Sequence, residues 1–465
     1  MATSAGFQMQ MLRDNLVYLS SITVFILSLS AGVDVQPQQE RYEPDYSYYH
    51  NVSSMEAELR LLVMKHAGLI QLNNDYRSRA GHSQLVLRMS NFSSGVQTAT
   101  GGKVRVLLSY GEHAREFFPV ESMLYFIKNV IDGASLSFNK TSKRTFSLWV
   151  LNSFDIIFIG MANPDGRDYI EKTRNYCWRG TKSGVDINRN FDWNFGGSGS
   201  SNNPKDGEFR GPHPFSEPET EVFRNLSYIF APDAFISFHS GARHIYIPFA
   251  DSLSKHGRRQ PINKTLLVRL ARYMSRSCPS RPFKFGLAYD LTGYTADGTS
   301  FDFMAGHEKT PFSLAVELWE HNKHEGRSCF DEFNPKSEAL QAELAFIHPM
   351  YIELLNYLHK WKKENFHRSQ VKTDIYALLI RRKKDDGHQR LPIRKNAMFF
   401  SEDSKDGSNP DGGTSLPSQL AFMMLFILTI ALVALLVRHV CQMVRKKRII
   451  SLRSLSATFS LLKLS

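Results

Sequence analysis

The feature that most constrains the fold is an apolar stretch that ends in a polar cluster and continues as a helix. Residues 104–109 are mostly apolar, which predicts a buried strand, and residues 117–130 have apolar side chains at helical spacing. His113 and Glu116 lie between the two. In open α/β sheets, ligands collect at the carboxyl ends of strands. A spacing of three residues lets an imidazole and a carboxylate reach one cation, although such pairs also occur by chance at helix starts.

Strand-like segments recur along the chain and alternate with helical patterns. They cover residues 85–89, 154–160, 234–238 and 311–319, and a helix is predicted at residues 55–67. Strands that alternate with helices over about 300 residues are typical of one α/β domain with a largely parallel sheet. The sequence therefore predicts one large catalytic or binding domain rather than several small ones.

Two of these segments carry side chains that could complete a metal site. His239 follows an apolar strand and precedes a glycine, so it repeats the arrangement at His113 and is the candidate third ligand. Zinc accepts such mixed nitrogen and oxygen ligands, and a catalytic zinc keeps one position open for water. Glu317 lies within an apolar run, either as the solvent-facing residue of an alternating strand or as a general base in a partly dry site.

Arginines and a tyrosine in two polar segments add a possible anion site. Arg179 and Arg189 lie in a stretch with few apolar residues, and Asn188 and Asn190 flank the second of them. Guanidinium groups hold carboxylates through two parallel hydrogen bonds, so this cluster favours an anion clamp over an ordinary surface loop. Residues 293–303 are predicted to form a polar loop around a tyrosine.

In combination, these motifs resemble those of the zinc metallocarboxypeptidases of the carboxypeptidase A/B type. The resemblance covers residues 44–362 and depends on five motifs in the family's order. They are His113-Ala114-Arg115-Glu116 with His239, Trp178-Arg179, Asn188-Arg189-Asn190, Tyr294 with Ser300 and Asp302, and Glu317. The resemblance implies a zinc carboxypeptidase-like domain with a mixed, mostly parallel sheet flanked by helices, and one zinc ion per chain.

The resemblance also implies a role for each matched residue. The metal ligands would be His113, Glu116 and His239, with Glu317 as the general base and Arg179 as the residue that stabilises the oxyanion. The substrate-binding residues would be Arg115, Asn188, Arg189, Ser240, Tyr294 and Phe301. The asparagine and arginine of the clamp would hold a free α-carboxylate, which implies hydrolysis of the C-terminal peptide bond of peptides or proteins.

Departures from the family bear on specificity. Phe301 stands at the base of the specificity pocket, which favours an apolar or aromatic C-terminal residue over a basic one. Asp251 lies near a position where relatives that prefer basic ends carry an acid, so a carboxypeptidase for basic residues is an alternative. Gly241 and Ala242 follow Ser240 where the carboxypeptidase A group has a tyrosine, so one wall of the site is expected to be more open.

Two other functional classes remain as alternatives. A catalytically inactive relative could bind peptides, but it would not need all three metal ligands together with Glu317 and Arg179. A related zinc hydrolase could remove an amide-linked acyl or glutamyl group, but Arg189 and Tyr294 favour a free α-carboxylate. Little sequence lies between residue 36, the end of the predicted signal peptide, and residue 44, so no separate inhibitory prodomain is expected.

The N-terminal region predicts entry into the secretory pathway. Residues 16–29 are apolar and small residues follow, so residues 1–36 are predicted to be a signal peptide, with an uncleaved anchor as the alternative. Five glycosylation sequons follow, and all precede the later apolar segment. They are Asn51, Asn91, Asn139, Asn225 and Asn263.

The C-terminal region predicts a membrane anchor. Residues 365–418 are expected to be a flexible linker, and residues 420–437 contain no charge and are just long enough to span a bilayer. Residues 438–465 carry seven basic and no acidic residues, which places this tail in the cytosol. The sequence thus predicts a single-pass type I protein of the secretory pathway, with its catalytic domain lumenal or extracellular.

Charge and cysteine content complete the prediction. The formal net charge of +12 is equalled by the excess in residues 370–395 and 438–465, so no nucleic-acid partner is expected. Of the three cysteines in the domain, Cys278 and Cys329 are predicted to pair, with Cys177 as a small buried side chain. Cys441 is either palmitoylated or a free thiol.

Overall fold

The computed structural model describes residues 43–93, 102–136, 142–321 and 328–385. The predicted signal peptide, the apolar segment at 420–437, the basic tail, Asn139 and Cys441 lie outside these ranges. Within them, no helix is long and apolar enough to cross a membrane.

An eight-stranded sheet forms the centre of the domain. In chain order the strands are β1 (Ile70–Asn73), β2 (Val86–Met89), β3 (Val104–Tyr110), β4 (Phe154–Ile159), β5 (Ala234–His239), β6 (His244–Ile247), β7 (Lys284–Leu287) and β8 (Phe312–Glu317). In space their order is β1-β2-β4-β3-β5-β8-β6-β7. The pairs β3–β4, β3–β5, β5–β8 and β6–β7 are parallel, and the other three are antiparallel. The predicted mixed, mostly parallel sheet is confirmed.

Helices flank this sheet. They are α1 (Val52–Lys65), α2 (Phe117–Ser135), α3 (Ser142–Ser153), α4 (Pro164–Thr173), α5 (Pro218–Phe230), α6 (Ser252–Gly257), α7 (Lys264–Arg276), α8 (Ala288–Leu291), α9 (Ser300–Gly306), α10 (Cys329–Phe333) and α11 (Leu340–Asp385), with short 3-10 helices at Ile187–Arg189 and Ser337–Ala339. Helix α9 occupies part of the segment 293–303 that was predicted to be a loop.

Central strands with helices on their faces explain the continuous apolar runs in the sequence. Strand β5 is buried at every position. Tyr351 of α11 stacks on Phe126 of α2 and on Phe238 of β5, at ring-centroid distances of 4.9 and 5.1 Å. These contacts fix two helices and the central strand relative to one another.

Parallel pairing brings the carboxyl ends of three strands to one edge of the sheet. Ser109 of β3 pairs with Ser237 of β5, and His239 at the end of β5 pairs with Glu317 at the end of β8. His113 follows β3 after a short turn. The residues predicted to bind metal and to act as base are therefore neighbours because of the strand register.

The predicted disulfide is wrong. Cys329 pairs with Cys177, and the Cα atoms of the two are 5.0 Å apart. Cys278 has a free, buried thiol whose sulfur lies 3.5 Å from the carbonyl oxygen of Phe346 on α11. The bond joins the segment before Arg179 to helix α10, a juxtaposition created by folding and not by sequence spacing.

The predicted start of the linker is also too early. Helix α11 continues to Asp385, past residue 365. The reason is that residues 350–385 contain neither glycine nor proline, so nothing in the sequence ends the helix before Gly387. The remainder of the predicted linker lies outside the described residues.

Candidate metal centre and substrate cleft

Three buried side chains converge at the ends of β3 and β5. Nδ1 of His113 lies 2.6 Å from Oε1 of Glu116, and Nδ1 of His239 lies 3.1 Å from Oε2 of Glu116 and 3.2 Å from Nδ1 of His113. Across the part of the chain that the structure describes, these residues form the one group of three or more whose ligand atoms could hold a metal ion. Two imidazole nitrogens and a carboxylate oxygen suit zinc, so the donor set fits the predicted ion.

The electrostatics of this group also favour a cation. Burial disfavours a charged imidazole, yet the carboxylates of Glu116 and Glu112 raise the pKa of His239 to about 9. The site therefore attracts positive charge, which a divalent ion would supply.

Helix α2 begins directly after Glu116, but the Glu116 side chain does not cap it. Oδ1 of Asn334 instead accepts hydrogen bonds from the main-chain nitrogens of Phe117 and Phe118, at 2.7 and 2.9 Å. The Asn334 amide nitrogen donates to the carbonyl oxygen of Arg115 at 3.0 Å. This remote cap leaves the Glu116 carboxylate available for a metal ion.

Each histidine is backed by a fully buried carboxylate that local sequence patterns do not predict. Oδ1 of Asp186 lies 3.3 Å from Nε2 of His113, and Oε2 of Glu112 lies 3.6 Å from Nε2 of His239. Glu112 is adjacent to His113 in sequence but lies behind the other histidine, because β3 pairs with β5. Carboxylates in this position orient histidine ligands and increase their basicity.

Glu317 lies beside the metal group with an unsatisfied carboxylate oxygen. Its Oε2 is buried and accepts no hydrogen bond from any described residue. Burial and the negative charge of Glu116 raise the pKa of Glu317 to about 7. A carboxylate with a nearly neutral pKa is suited to general-base chemistry at neutral pH.

Two arginines bring positive charge to the same cleft. Nε of Arg179 donates to Oδ2 of Asp186 at 2.8 Å. Burial opposes its charge, but Asp186 and Glu116 raise the pKa of Arg179. Burial and the neighbouring Arg179 lower the pKa of Arg115 to about 10, and its guanidinium lies 4.0 Å over the ring of Phe333. Both arginines therefore remain charged at neutral pH.

The predicted anion clamp lies beside the metal group. Nδ2 of Asn188 is 3.4 Å from Nε2 of His239. Arg189 is buried, and its guanidinium donates to the carbonyl oxygens of Gly199 and Asn188 and, at 3.3 Å, to Oε1 of Glu208. The Glu208 side chain is 51% exposed. It is thus the partner of Arg189 that another carboxylate could most readily replace.

Comparison with known proteins decides the family. A model of the zinc carboxypeptidase family matches residues 55–344. The chain belongs to the zinc carboxypeptidase family. Carboxypeptidase A1 of Rattus norvegicus is 30% identical over 290 residues, which cover 59% of this chain and 63% of the relative. Carboxypeptidase A2 of Mus musculus is 29% identical over 267 residues, which cover 52% and 60%. The chain thus spans less than two thirds of the length of these relatives.

Solved structures share the fold. Carboxypeptidase A from Helicoverpa armigera has a TM-score of 0.58 at 20% identity, covering 74% of this chain and 81% of that chain. Bovine thrombin-activatable fibrinolysis inhibitor has a TM-score of 0.53 at 19% identity, covering 68% of this chain and 99% of that chain. At this identity the likeness concerns the architecture alone.

The remaining predicted substrate-binding residues of this zinc carboxypeptidase family member differ in exposure. Tyr294 is 57% exposed. Phe301 is buried in an apolar cluster that includes Ala250 and Ala315. The main-chain nitrogen of Ser240 lies 3.3 Å from Oε2 of the metal-binding Glu116 candidate. Ser240 is therefore directly beside the metal group.

Two buried acids, Asp251 and Asp297, accept internal hydrogen bonds on both carboxylate oxygens. Asp251 accepts hydrogen bonds from the main-chain nitrogen of Ser254 and from Nε1 of Trp193. Asp297 accepts from the main-chain nitrogens of Gly199 and Ser252 and from two side chains. Carboxylates that hold the fold together in this way are poorly available to a basic ligand.

Proposed function

We propose that this chain is a zinc-dependent carboxypeptidase that hydrolyses the C-terminal peptide bond of peptides or proteins. The observation that carries the proposal is the convergence of the buried group His113, Glu116 and His239 with the unpartnered carboxylate of Glu317 at one sheet edge. A protein that only bound peptides would have no use for a buried, unpartnered base. Hydrolysis is therefore favoured over a purely binding role.

The mechanism assigns a separate task to each residue of the cleft. His113, Glu116 and His239 would hold a zinc ion, which would supply Lewis acidity and would lower the pKa of water at the site. Glu317 accepts a proton from the attacking water and passes it to the leaving amine. Arg179, held in place by Asp186, donates hydrogen bonds to the oxyanion that develops on the substrate carbonyl.

Recognition of a free C-terminus follows from the anion clamp of Asn188 and Arg189. Asn188 and Arg189 hold the substrate's α-carboxylate, which replaces Glu208 on the guanidinium. Arg115 adds positive charge along the path that the substrate carboxylate takes into the cleft. The exposed Tyr294 closes over the bound C-terminal residue. Ser240 lines the opposite side, next to Glu116.

The proposed specificity is for apolar or aromatic C-terminal residues. Phe301 and its neighbours Ala250 and Ala315 form an apolar surface. The acids that could select lysine or arginine, Asp251 and Asp297, are occupied by internal hydrogen bonds. These observations support the apolar alternative over a carboxypeptidase for basic residues.

We also propose that the enzyme is a type I membrane protein whose catalytic domain is lumenal or extracellular. The signal-like residues 1–36, the uncharged residues 420–437 and the basic flank support this orientation.

Among the sequons, Asn225 is exposed on α5. The amide nitrogens of Asn91 and Asn263 donate hydrogen bonds to neighbouring groups of the fold, and Asn51 caps α1. Among the four sequons within the described residues, Asn225 is therefore the glycan acceptor that its exposure favours.

The test uses residues 37–385 with zinc and matched peptides that end in Phe, Leu, Arg, Lys or Glu, each with a free or an amidated C-terminus. We expect release of Phe and Leu from free ends only. Glu317→Gln should reduce the rate by about 10²–10⁴-fold while retaining one zinc ion.

Each other result points to a different function or a different specificity. Equal cleavage of amidated ends would favour the amide hydrolase, and no release with zinc bound would favour the peptide-binding relative. Preferential release of Arg or Lys would keep the activity but reverse the proposed specificity.

A further inference from the structure

Glu112 is a fully buried carboxylate that no step of the proposed hydrolysis uses. Its side chain lies within hydrogen-bond distance of three serine hydroxyls: Ser109 at 2.8 Å, Ser237 at 2.5 Å and Ser300 at 3.2 Å. In each of these contacts the serine hydroxyl is the donor and the carboxylate is the acceptor. Each hydroxyl therefore directs its single proton toward Glu112.

This arrangement determines how Ser237 meets His239. Oγ of Ser237 lies 2.7 Å from Nε2 of His239. Because the serine proton points to Glu112, Oγ accepts a hydrogen bond from Nε2–H. The Asn188 amide nitrogen also faces Nε2, but at the longer distance of 3.4 Å. Nδ1, which faces Glu116, then carries the lone pair that a metal ion requires.

We propose that Glu112, acting through Ser237, is a positioning residue that holds His239 in the zinc-binding tautomer and strengthens zinc binding. Asp186 lies behind His113 in a comparable position, so each histidine has a carboxylate of its own. The inference rests on the proposed zinc site but not on peptidase activity. Removal of such a carboxylate typically weakens metal binding by about 10–100-fold.

The test measures the zinc dissociation constant of the full chain, purified in detergent, by competition with a chromophoric chelator. Glu112→Gln keeps the size of the side chain and removes its charge; zinc binding should weaken by about 10–100-fold. Ser237→Ala removes the bridging hydroxyl and should weaken binding in the same direction.

The matched control is Glu219→Gln, because Glu219 is also fully buried but its carboxylate accepts from the main-chain nitrogen of Arg79 rather than contacting a metal residue. Its zinc affinity should equal that of the wild type. Unchanged affinity in Glu112→Gln, or an equal loss in both glutamine variants, would overturn the proposal.

A second measurement separates positioning from general structural support. The ¹⁵N spectrum of the zinc-free protein, recorded above the His239 pKa of about 9 so that the imidazole is neutral, should show His239 protonated at Nε2 in the wild type and a mixture of tautomers in Glu112→Gln. An unchanged tautomer in that variant contradicts the proposal. If Glu112→Gln does not fold, the zinc affinity of Ser237→Ala tests the proposal instead. A wild-type affinity in that variant would also contradict the proposal. Neither measurement needs a substrate, so failure of the proposed peptidase activity would be seen independently.

Discussion

Arg167 is a fully buried guanidinium beneath the metal-binding segment. Its Nε donates to the carbonyl oxygen of Ala114 at 2.9 Å, and its Nη2 donates to that of Glu116 at 3.0 Å. The guanidinium also lies 3.4 Å over the ring of Phe117. A buried guanidinium is costly unless it donates hydrogen bonds. The two hydrogen bonds of Arg167 fix the main chain on either side of Arg115 and so stabilise the metal-binding segment.

His50 makes the stability of the domain depend on pH. Its Nδ1 lies 2.8 Å from Oε2 of Glu121, and its Nε2 lies 2.9 Å from Oε2 of Glu58. The hydrogen bond to Glu121, opposed by burial and assisted by Glu58, raises the pKa of His50 to about 9. An unfolded histidine titrates near pH 6.5. The stabilisation is thus complete below about pH 6.5 and is lost as the pH rises through about 9.

We therefore expect His50→Gln to lower the free energy of unfolding by about 1–3 kcal/mol at pH 6 and by much less at pH 9.5. Urea titrations of residues 37–385 at both pH values measure the difference. His256→Gln, at an exposed position, serves as the control and should show no such trend. A deficit of equal size at both pH values would mean that the charge of His50 is not the cause.

For single residues, the sequence predicts which side chains belong to the site better than it predicts which groups those side chains contact. His113, Glu116 and His239 could be predicted because strand ends are visible in local patterns. The role of Glu112 could not be predicted, because the group that its side chain meets depends on the pairing of β3 with β5. The contact between Arg189 and Glu208 likewise arises only once the intervening loop has folded.

Helix α2 is capped by a residue that is more than two hundred positions away in sequence, and this separates capping from metal binding. Asn334→Ala should lower the free energy of unfolding by about 1–3 kcal/mol, since two main-chain donors lose their acceptor in a buried site. It should also weaken zinc binding, because the Glu116 carboxylate is then drawn toward the helix terminus. Urea unfolding and chelator competition measure the two effects.

Asn51→Ala is the matched control, because Asn51 caps α1 through a local hydrogen bond to the main-chain nitrogen of Ser54. Loss of this cap should lower the free energy of unfolding by about 0.5–2 kcal/mol without affecting zinc affinity. Equal zinc affinities in the Asn334 and Asn51 variants would contradict the proposed link between the cap and the metal site.

Helix α9 shows where element prediction from local sequence fails. Its seven residues are too few to form a stable helix alone. Tertiary contacts hold it: Oγ of Ser313 donates to the carbonyl oxygen of Phe301, and the main-chain nitrogen of Ala250 donates to Asp302. The pairing of Cys177 with Cys329 has the same origin, since only the folded chain brings their segments together.

For the whole molecule, the sequence predicts the centre of the sheet better than its edges. Strands β3, β4, β5 and β8 are buried on both faces, so they form continuous apolar runs that can be recognised. Strands β1, β6 and β7 have four residues each and are partly exposed, so no local sequence pattern predicts them. Their assignment depends on pairing with neighbours that are already in place.

The proposed topology predicts how the full chain behaves in eukaryotic cells. It should remain in the membrane fraction at alkaline pH and carry N-linked glycans, because residues 420–437 would span the bilayer. A chain that ends at residue 418 should be secreted in glycosylated form. Asn225→Gln should remove one glycan, seen as a faster-migrating band that matches partial glycosidase digestion.

The full chain and the chain that ends at residue 418 also distinguish a cleaved signal peptide from an uncleaved anchor at the N-terminus. If residues 16–29 were an uncleaved anchor, the chain ending at residue 418 would stay in the membrane, and N-terminal sequencing would recover the original start. Cleavage within the first 36 residues together with secretion would identify the C-terminal segment as the anchor. A full-length chain that is unglycosylated and extracted at alkaline pH would contradict the proposed topology, while leaving the metal site and its chemistry to the peptide assays.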